Sequence, residues 1–459
     1  MSTQNEISRR RFLQGVGIGS LGLGLAACGA TPVPPTNTPQ AAATAAPAAT
    51  ATTAAAVTVE PTATPIPKTV GSKGNINVIY WSDRNDSFKS LMEAFTEETD
   101  IGVTYELAPS DYAEFYNMMR TRLAGGDDTI DIAIYRDMMG NQLLAADFLL
   151  DVKPILDDKK VSISDIPSRL IESVTVDGRL SMLPNSHDAE LLFWRTDWAE
   201  EAGVGGPPAT WEEWREKAAK LTQAPDRYGI GLCGLKSQVC HEIQKWSSQA
   251  GASLLKVDHP GLKEAIVFYK ELFATHKVAQ PSTPEDGYYD TWLAYQENKF
   301  SSWWCWDAYF GYIKDNKDFW NDQVILAPPA AGPQNADINT ACWGWVVGAH
   351  TRKQELCAEW IRFVGQPENQ KIERVLRPGT PSRISLWSDP EVQERAPSAS
   401  ILANIVKEQG EEVLAGLPNS PNYAEIVNVF SDEVHGYFTD QIDVDAALKN
   451  YKERVTKLL

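Results

Sequence analysis

The sequence predicts an α/β fold built on a largely parallel sheet. Short runs rich in β-branched and aromatic residues recur from Asn77 onward, and most are followed by apolar residues at helical spacing. The two kinds of segment alternate instead of clustering, an order that covers a parallel sheet with helices on both faces. The chain has 459 residues, enough for two domains and a generous core.

The first segment is of another kind. Ser8 to Cys28 holds a basic run (Arg9-Arg10-Arg11), an apolar stretch from Gly15 to Ala27, and Leu25-Ala26-Ala27-Cys28. That order describes a secretory signal. The apolar stretch falls short of the ~20 residues that span a bilayer. Paired arginines ahead of Phe12-Leu13 resemble a twin-arginine export signal. Leu-Ala-Ala-Cys resembles a lipoprotein processing box, which makes Cys28 the lipidated N-terminus of the mature chain. A stable anchor takes more than one acyl chain. Residues 29–72 are mostly Ala, Thr and Pro with almost no charge. They are expected to form a disordered, extended stalk.

The folded part is expected from residue 73. Asn77–Trp81 reads as a strand. Phe88, Leu91, Met92 and Phe95 then mark one helix face. Val103–Leu107 is a second strand and Tyr112–Leu123 a second helix, ended by Gly125-Gly126. Ile130–Tyr135 is a third strand. Leu143–Leu156 reads as a helix, Asp177-Gly178 as a turn, and Leu191–Trp194 as a strand. Thr210 and Glu213 are spaced as a capping box. Further amphipathic helices are expected over Leu262–Phe273, Leu356–Val364 and Val444–Leu459.

Composition narrows the function. The chain is 43% hydrophobic and 22% charged, with fifteen Trp. Its net charge is −19, and removing a leader of net +2 leaves about −21. Such a balance argues against nucleic acid and against acidic ligands held by a broad basic field. No later run is long and apolar enough to cross a membrane. There is no H-E-x-x-H and no phosphate-binding G-x-x-x-x-G-K-[ST] loop, so no metal or cofactor is expected. Cys233 and Cys240 bracket six residues. An oxidising compartment would favour a bridge between them, whereas folding in the cytoplasm before export would not.

Several segments together resemble the sugar-binding family of extracellular solute-binding proteins of ABC importers, which includes maltose-binding protein. They are LAGGDDTIDIAIYRD (123–137), DGRLSMLP (177–184), LLFWRTDWAEEAGVGGPPATWEEW (191–214), ENKFSSWWCWDAY (297–309), CWGWVVG (342–348) and RPGTPSRISLW (377–387). The third is the most specific. Two departures stand out: Asp127–Ile130 replaces a usual proline before Asp131, and Arg195 stands where the family has Asn. The resemblance implies a two-lobed periplasmic-binding-protein-like fold of type II with a ligand cleft between the lobes. It places crossings near Asn185–Asp188, Trp343–Val347 and Pro378–Pro381. One lobe would be about 74–187 and 344–378, the other about 188–343 and 379–459.

In such sheets ligands bind beyond the carboxyl ends of strands. The loops so placed carry Trp81, Asp83, Tyr135, Asp137 and Asp188. From the other lobe come Trp304, Trp306, Asp307 and Tyr309, with Trp343, Trp345 and Arg383 from the returning segments. Aromatic rings suit the C–H faces of a sugar, and carboxylates suit its hydroxyls. Each of these residues also has a structural alternative: the aspartates as helix caps or turn residues, Arg383 as an ion-pair strut, and the tryptophans as core. Tyr135 is favoured over Arg136 as the sugar contact. The implied protein is a monomeric, non-catalytic receptor, tethered through Cys28. It would deliver a sugar or oligosaccharide to ABC permease subunits served by a separate ATPase. A secreted carbohydrate hydrolase, needing two carboxylates across the cleft, and a receptor for another neutral solute are the rivals.

Overall fold

The structure, a computed structural model, describes residues 68–81, 86–109, 112–316, 322–416, 420 and 422–459. The expected signal segment with Cys28, the rest of the expected stalk up to residue 67, and Asp83 lie outside the described residues. Residues 68–72, expected in the stalk, are described. Thr69 N donates to Val103 O at 2.8 Å, and Val103 N donates to Thr69 Oγ1 at 2.9 Å.

Ten strands lie among the described residues: β1 (Asn75–Tyr80), β2 (Gly102–Leu107), β3 (Ile132–Arg136), β4 (Thr175–Val176), β5 (Arg179–Leu180), β6 (Leu183–Arg195), β7 (Ser302–Trp306), β8 (Val324–Ala327), β9 (Ile338–Val347) and β10 (Leu414–Ala415). The main sheet runs β2-β1-β3-β9-β6-β7, with β8 on β6 and β10 on β9. Pairing is parallel among β1, β2 and β3. It is antiparallel from β3 to β9, β9 to β6, and β6 to both β7 and β8. The sheet is therefore mixed and not largely parallel. The reason lies in β6 and β9, which run in opposite directions through the middle of the molecule.

Those two strands join the two lobes. The first half of β6 pairs with β9, and its second half pairs with β7 and β8. In β9, residues 343–347 pair with β3 while residues 338 and 339 pair with β10. One core cluster draws on Ile76–Leu183 and Cys342–Val364. Three others draw on residues between Ala189 and Ile338 and between Trp387 and Val455. The segment Thr380–Ser382 lies along β6, with His187 N donating to Thr380 O at 2.9 Å.

Local structure follows the residues with informative exceptions. Helix Ser87–Thr99 buries Phe88, Leu91, Met92 and Phe95. The turn between β4 and β5 places Asp177 at φ 51° and Gly178 at φ 77°, two left-handed positions that Asp-Gly tolerates. Thr210 Oγ1 accepts from Glu213 N at 3.2 Å, while Glu213 reaches back to Ala209 N instead of the cap's own amide. Leu143–Leu156 is two helices, Asp137–Ala145 and Lys153–Lys159. Leu149 between them bridges to Gly348, so tertiary pairing overrides the helical pattern. All five cysteines among the described residues are free and buried. Cys233 and Cys240 pack into different core clusters and do not bridge.

Where β6 enters the second lobe, a charged group is fully enclosed. Lys245 Nζ lies 2.8 Å from Glu242 Oε1, 3.4 Å from Glu190 Oε1 and 2.7 Å from Trp304 O. Asn339 of β9 donates to the other oxygen of Glu190 at 2.9 Å. Burial pushes the Glu190 carboxyl upward, and the Glu242 charge adds to this against the pull of Lys245.

Candidate functional site

A cavity of about 290 Å³ opens where the strand ends and the two lobes meet. From the first lobe, Trp81 follows β1, Arg136 ends β3, and Met138 and Met139 begin the next helix. The crossing strands supply Asp188 and Trp343. From the second lobe come Gln238 and His241, then Tyr288, Tyr289 and Trp292 of helix Tyr288–Gln296. Trp306 ends β7, and Tyr309 and Tyr312 lie on the helix Ala308–Asp315 behind it. Arg377 closes one end.

The rings are organised around one cation. The Trp81 and Trp343 ring centroids are 5.0 Å apart at 47°. The Arg136 guanidinium lies 5.0 Å from the centre of Trp306 and 5.8 Å from that of Trp343. It also faces Asp137 at 3.7 Å. This layered charge over indole is worth roughly 1–2 kcal/mol where water is excluded. Burial, reinforced by the nearby Arg136 charge, drives the His241 imidazole down to about 4, so it is neutral at ordinary pH.

Several buried polar atoms of the lining have no hydrogen-bond partner among the described residues. They are His241 Nδ1, Tyr288 Oη and Trp292 Nε1. Burying such a group unpaired costs about 1–3 kcal/mol. These three side chains come from two helices that border the same space.

Five of the residues expected in the cleft line this cavity together: Trp81, Asp188, Trp306, Tyr309 and Trp343. Six others are placed elsewhere. Tyr135 is fully buried in the first core, edge-on to Phe115 at 4.8 Å, because alternation along β3 turns its neighbour Arg136 to the cavity. Trp345 is likewise buried between Tyr80 and Trp360. Trp304 packs on Trp246 in the second core and donates to Glu190 O at 3.1 Å. Trp303 is core as well.

The remaining three are braces. Asp137 is buried and accepts from Met138 N at 2.8 Å and Cys342 N at 2.9 Å, tying β3 to β9. Asp307 accepts from Thr380 Oγ1 at 2.7 Å, Ser398 Oγ at 2.6 Å and Ala189 N at 3.3 Å. Burial raises its carboxyl, and the nearby Asp188 charge adds to the effect. Arg383 is a strut: it pairs with Asp165 and donates to Ser162 O and Gly365 O.

Sequence reasoning missed Arg136, His241, Arg377 and the aromatic helix Tyr288–Gln296. The tetrad Tyr288-Tyr289-Asp290-Thr291 with Trp292 was a legible signal, since its aromatics do not follow a single buried face.

The family model for bacterial extracellular solute-binding proteins matches residues 81–371. A probable ABC transporter-binding protein of Deinococcus radiodurans is 21% identical over 353 residues, which cover 71% of this chain and 83% of that protein. Among solved structures, maltose-bound MalE3 of T. maritima superposes with a TM-score of 0.75 at 22% identity, covering 84% of this chain and 100% of the other. A solute-binding protein of Agrobacterium radiobacter K84, in complex with ribitol, gives 0.74 at 18%, covering 85% and 100%. At these identities the superpositions establish the fold, which is the two-lobed architecture of MalE-type proteins. No helix among the described residues is long and apolar enough to cross a membrane. The family match spans well over half of the chain, and with the two-lobed fold it makes this protein a member of the bacterial extracellular solute-binding protein family.

Proposed function

We propose that this chain is the lipid-anchored receptor of an ABC importer, working as a monomer. It captures a sugar or oligosaccharide outside the cytoplasmic membrane and presents it to the permease. The observation that carries this reading is the cavity wall. Trp81, Trp306, Trp343 and Trp292 offer flat apolar faces, while Asp188, His241 and Tyr288 offer hydrogen bonds between them. A pyranose presents apolar C–H faces with hydroxyls at their rim, so it meets both needs at once. The volume of about 290 Å³ suits one or two rings. Lobe closure over the solute follows from its contacts with both sides, because only differential affinity for the closed state drives such a change.

Among the described lining residues Asp188 is the sole carboxylate. A glycosidase needs two across the bond it cleaves, which favours a receptor over a hydrolase. The stalk and Cys28 supply the tether in this reading.

The test is a thermal-shift screen of the mature chain carrying Cys28→Ser against sugars, polyols and amino acids. A solute that binds only the folded state adds about 2.7 kcal/mol at a hundredfold excess over its Kd. A shift with a carbohydrate that is recovered uncleaved supports the receptor. A cleaved product points to the hydrolase, and a shift with amino acids alone refutes the carbohydrate assignment.

A further inference from the structure

Past Trp81, Asp188 and Trp343 the cavity continues into a side compartment of about 40 Å³, walled by Arg374 and Arg377. The net charge of the chain argues against acidic ligands held by a broad basic field. Helix Pro367–Arg374 and the turn after it nevertheless bring two arginines to this compartment.

Both arginines lean on a single carboxylate. Arg374 Nη2 donates to Glu373 Oε1 at 3.0 Å. Arg377 Nη1 lies 3.6 Å from the same oxygen and donates to Tyr80 Oη at 3.1 Å. Tyr80 and Asn185 also donate to Glu373, so both of its oxygens are engaged. Burial opposes ionisation of Glu373, yet the two arginines outweigh it and hold the carboxyl below its usual range. Glu373 is thus shared between two guanidiniums. Arg374 is only 3% exposed, and its Nε has no partner among the described residues.

Asp188 lines the same compartment and makes no ion pair with either arginine among the described residues. The wall therefore presents two guanidiniums that share Glu373 and a separate carboxylate acceptor. With one carboxylate shared between two guanidiniums, an acidic solute adds a charge-assisted partner that a neutral one does not. A carboxylate meets the fork of an arginine with short, charge-assisted bonds. A hydroxyl beside that carboxylate is the donor Asp188 lacks.

We propose that the solute is an acidic carbohydrate. Its carboxylate seats against Arg374 and Arg377, and an adjacent hydroxyl donates to Asp188. This rests on the carbohydrate reading above and names the class within it.

Isothermal titration of the mature chain with Cys28→Ser decides it. The probes are D-galacturonate, D-glucuronate and their disaccharides, each against its neutral parent sugar, its 1-phosphate and glutamate. At least one uronate should bind 30-fold or more tighter than its neutral parent. Arg377→Gln should cut uronate affinity at least tenfold and shrink the preference for the uronate over its neutral parent. Arg374→Lys, which keeps a charge beside Glu373 and so protects folding, should also weaken the uronate selectively. A neutral parent that binds as tightly as its uronate overturns the acid assignment and spares the carbohydrate reading. Preference for the phosphates overturns the carboxylate. Binding of glutamate with no carbohydrate, or of none of the probes, overturns both readings.

Discussion

Removing the ammonium of Lys245 tests the electrostatic account of the second lobe directly. In Lys245→Met a thioether of similar length replaces the side chain, so packing is largely kept. What is lost is the cation shared by Glu190 and Glu242 and the donor to Trp304 O, all in a region at most 2% exposed. A carboxylate left there without its cation must take up a proton. Drawing that proton at pH 7.5 for a group whose unfolded pKa is about 4.3 costs about 4 kcal/mol, at 1.36 kcal/mol per pH unit. The same range, about 3–5 kcal/mol, is typical of a buried pair broken from one side. The sign is that of a raised carboxyl. The penalty is present above the folded pKa and disappears as pH falls toward the unfolded one. At pH 5.5 the deficit should drop below about 2 kcal/mol. Urea unfolding followed by tryptophan fluorescence at both pH values reads the two numbers. A deficit under 1 kcal/mol at pH 7.5, or one that does not shrink at pH 5.5, refutes the reasoning.

Three further outcomes are expected. The double variant Trp306→Ala, Trp343→Ala should weaken solute binding by roughly 2–3 kcal/mol, about 30- to 150-fold, and lower the unfolding midpoint as well, because Trp343 packs in the first core; unchanged affinity by titration calorimetry removes these rings from the site. Arg383→Ala should destabilise by about 2–4 kcal/mol, since it leaves Asp165 and two carbonyls unpaired, yet keep solute affinity within twofold; a large loss of affinity at intact stability would return Arg383 to the binding surface. The five buried thiols, raised by burial, should be silent to Ellman's reagent in the folded protein and all react in denaturant without reductant. A count of three would mean a disulfide.

Local chemistry carried much of the fold into the sequence. The 3.6-residue stripe of Phe88, Leu91, Met92 and Phe95 and the Thr210 cap each depend on neighbours a few residues away. Direction of pairing does not: β9 lies antiparallel to β3 because of where it returns from, which no short window contains. The same divide runs through the site. Trp81, Asp188, Trp306, Tyr309 and Trp343 stand at strand ends or crossings, where the family resemblance already directed attention. Tyr135 against Arg136, and Trp345 against Trp343, hinge on which face of a strand meets the cavity. A one-residue shift reverses that choice. Arg374 and Arg377 escaped notice although the segment 377–387 carried the resemblance, because attention there went to Arg383 and nothing local shows which arginine faces the cavity.

The way β9 completes the first lobe sets a schedule for making the protein. β3 is synthesised early, but the strand that covers its open edge follows about 200 residues later. At ribosomal speeds of about 5–20 residues per second, β3 waits on the order of 10–40 s for that partner. During that interval a row of backbone donors and acceptors, with Ile132 and Ile134 beside it, stays available to other chains. That edge needs shielding until residues 338–347 have left the ribosome, about three-quarters of the way along the polypeptide. Expression that outruns such shielding should yield aggregates seeded by the first lobe.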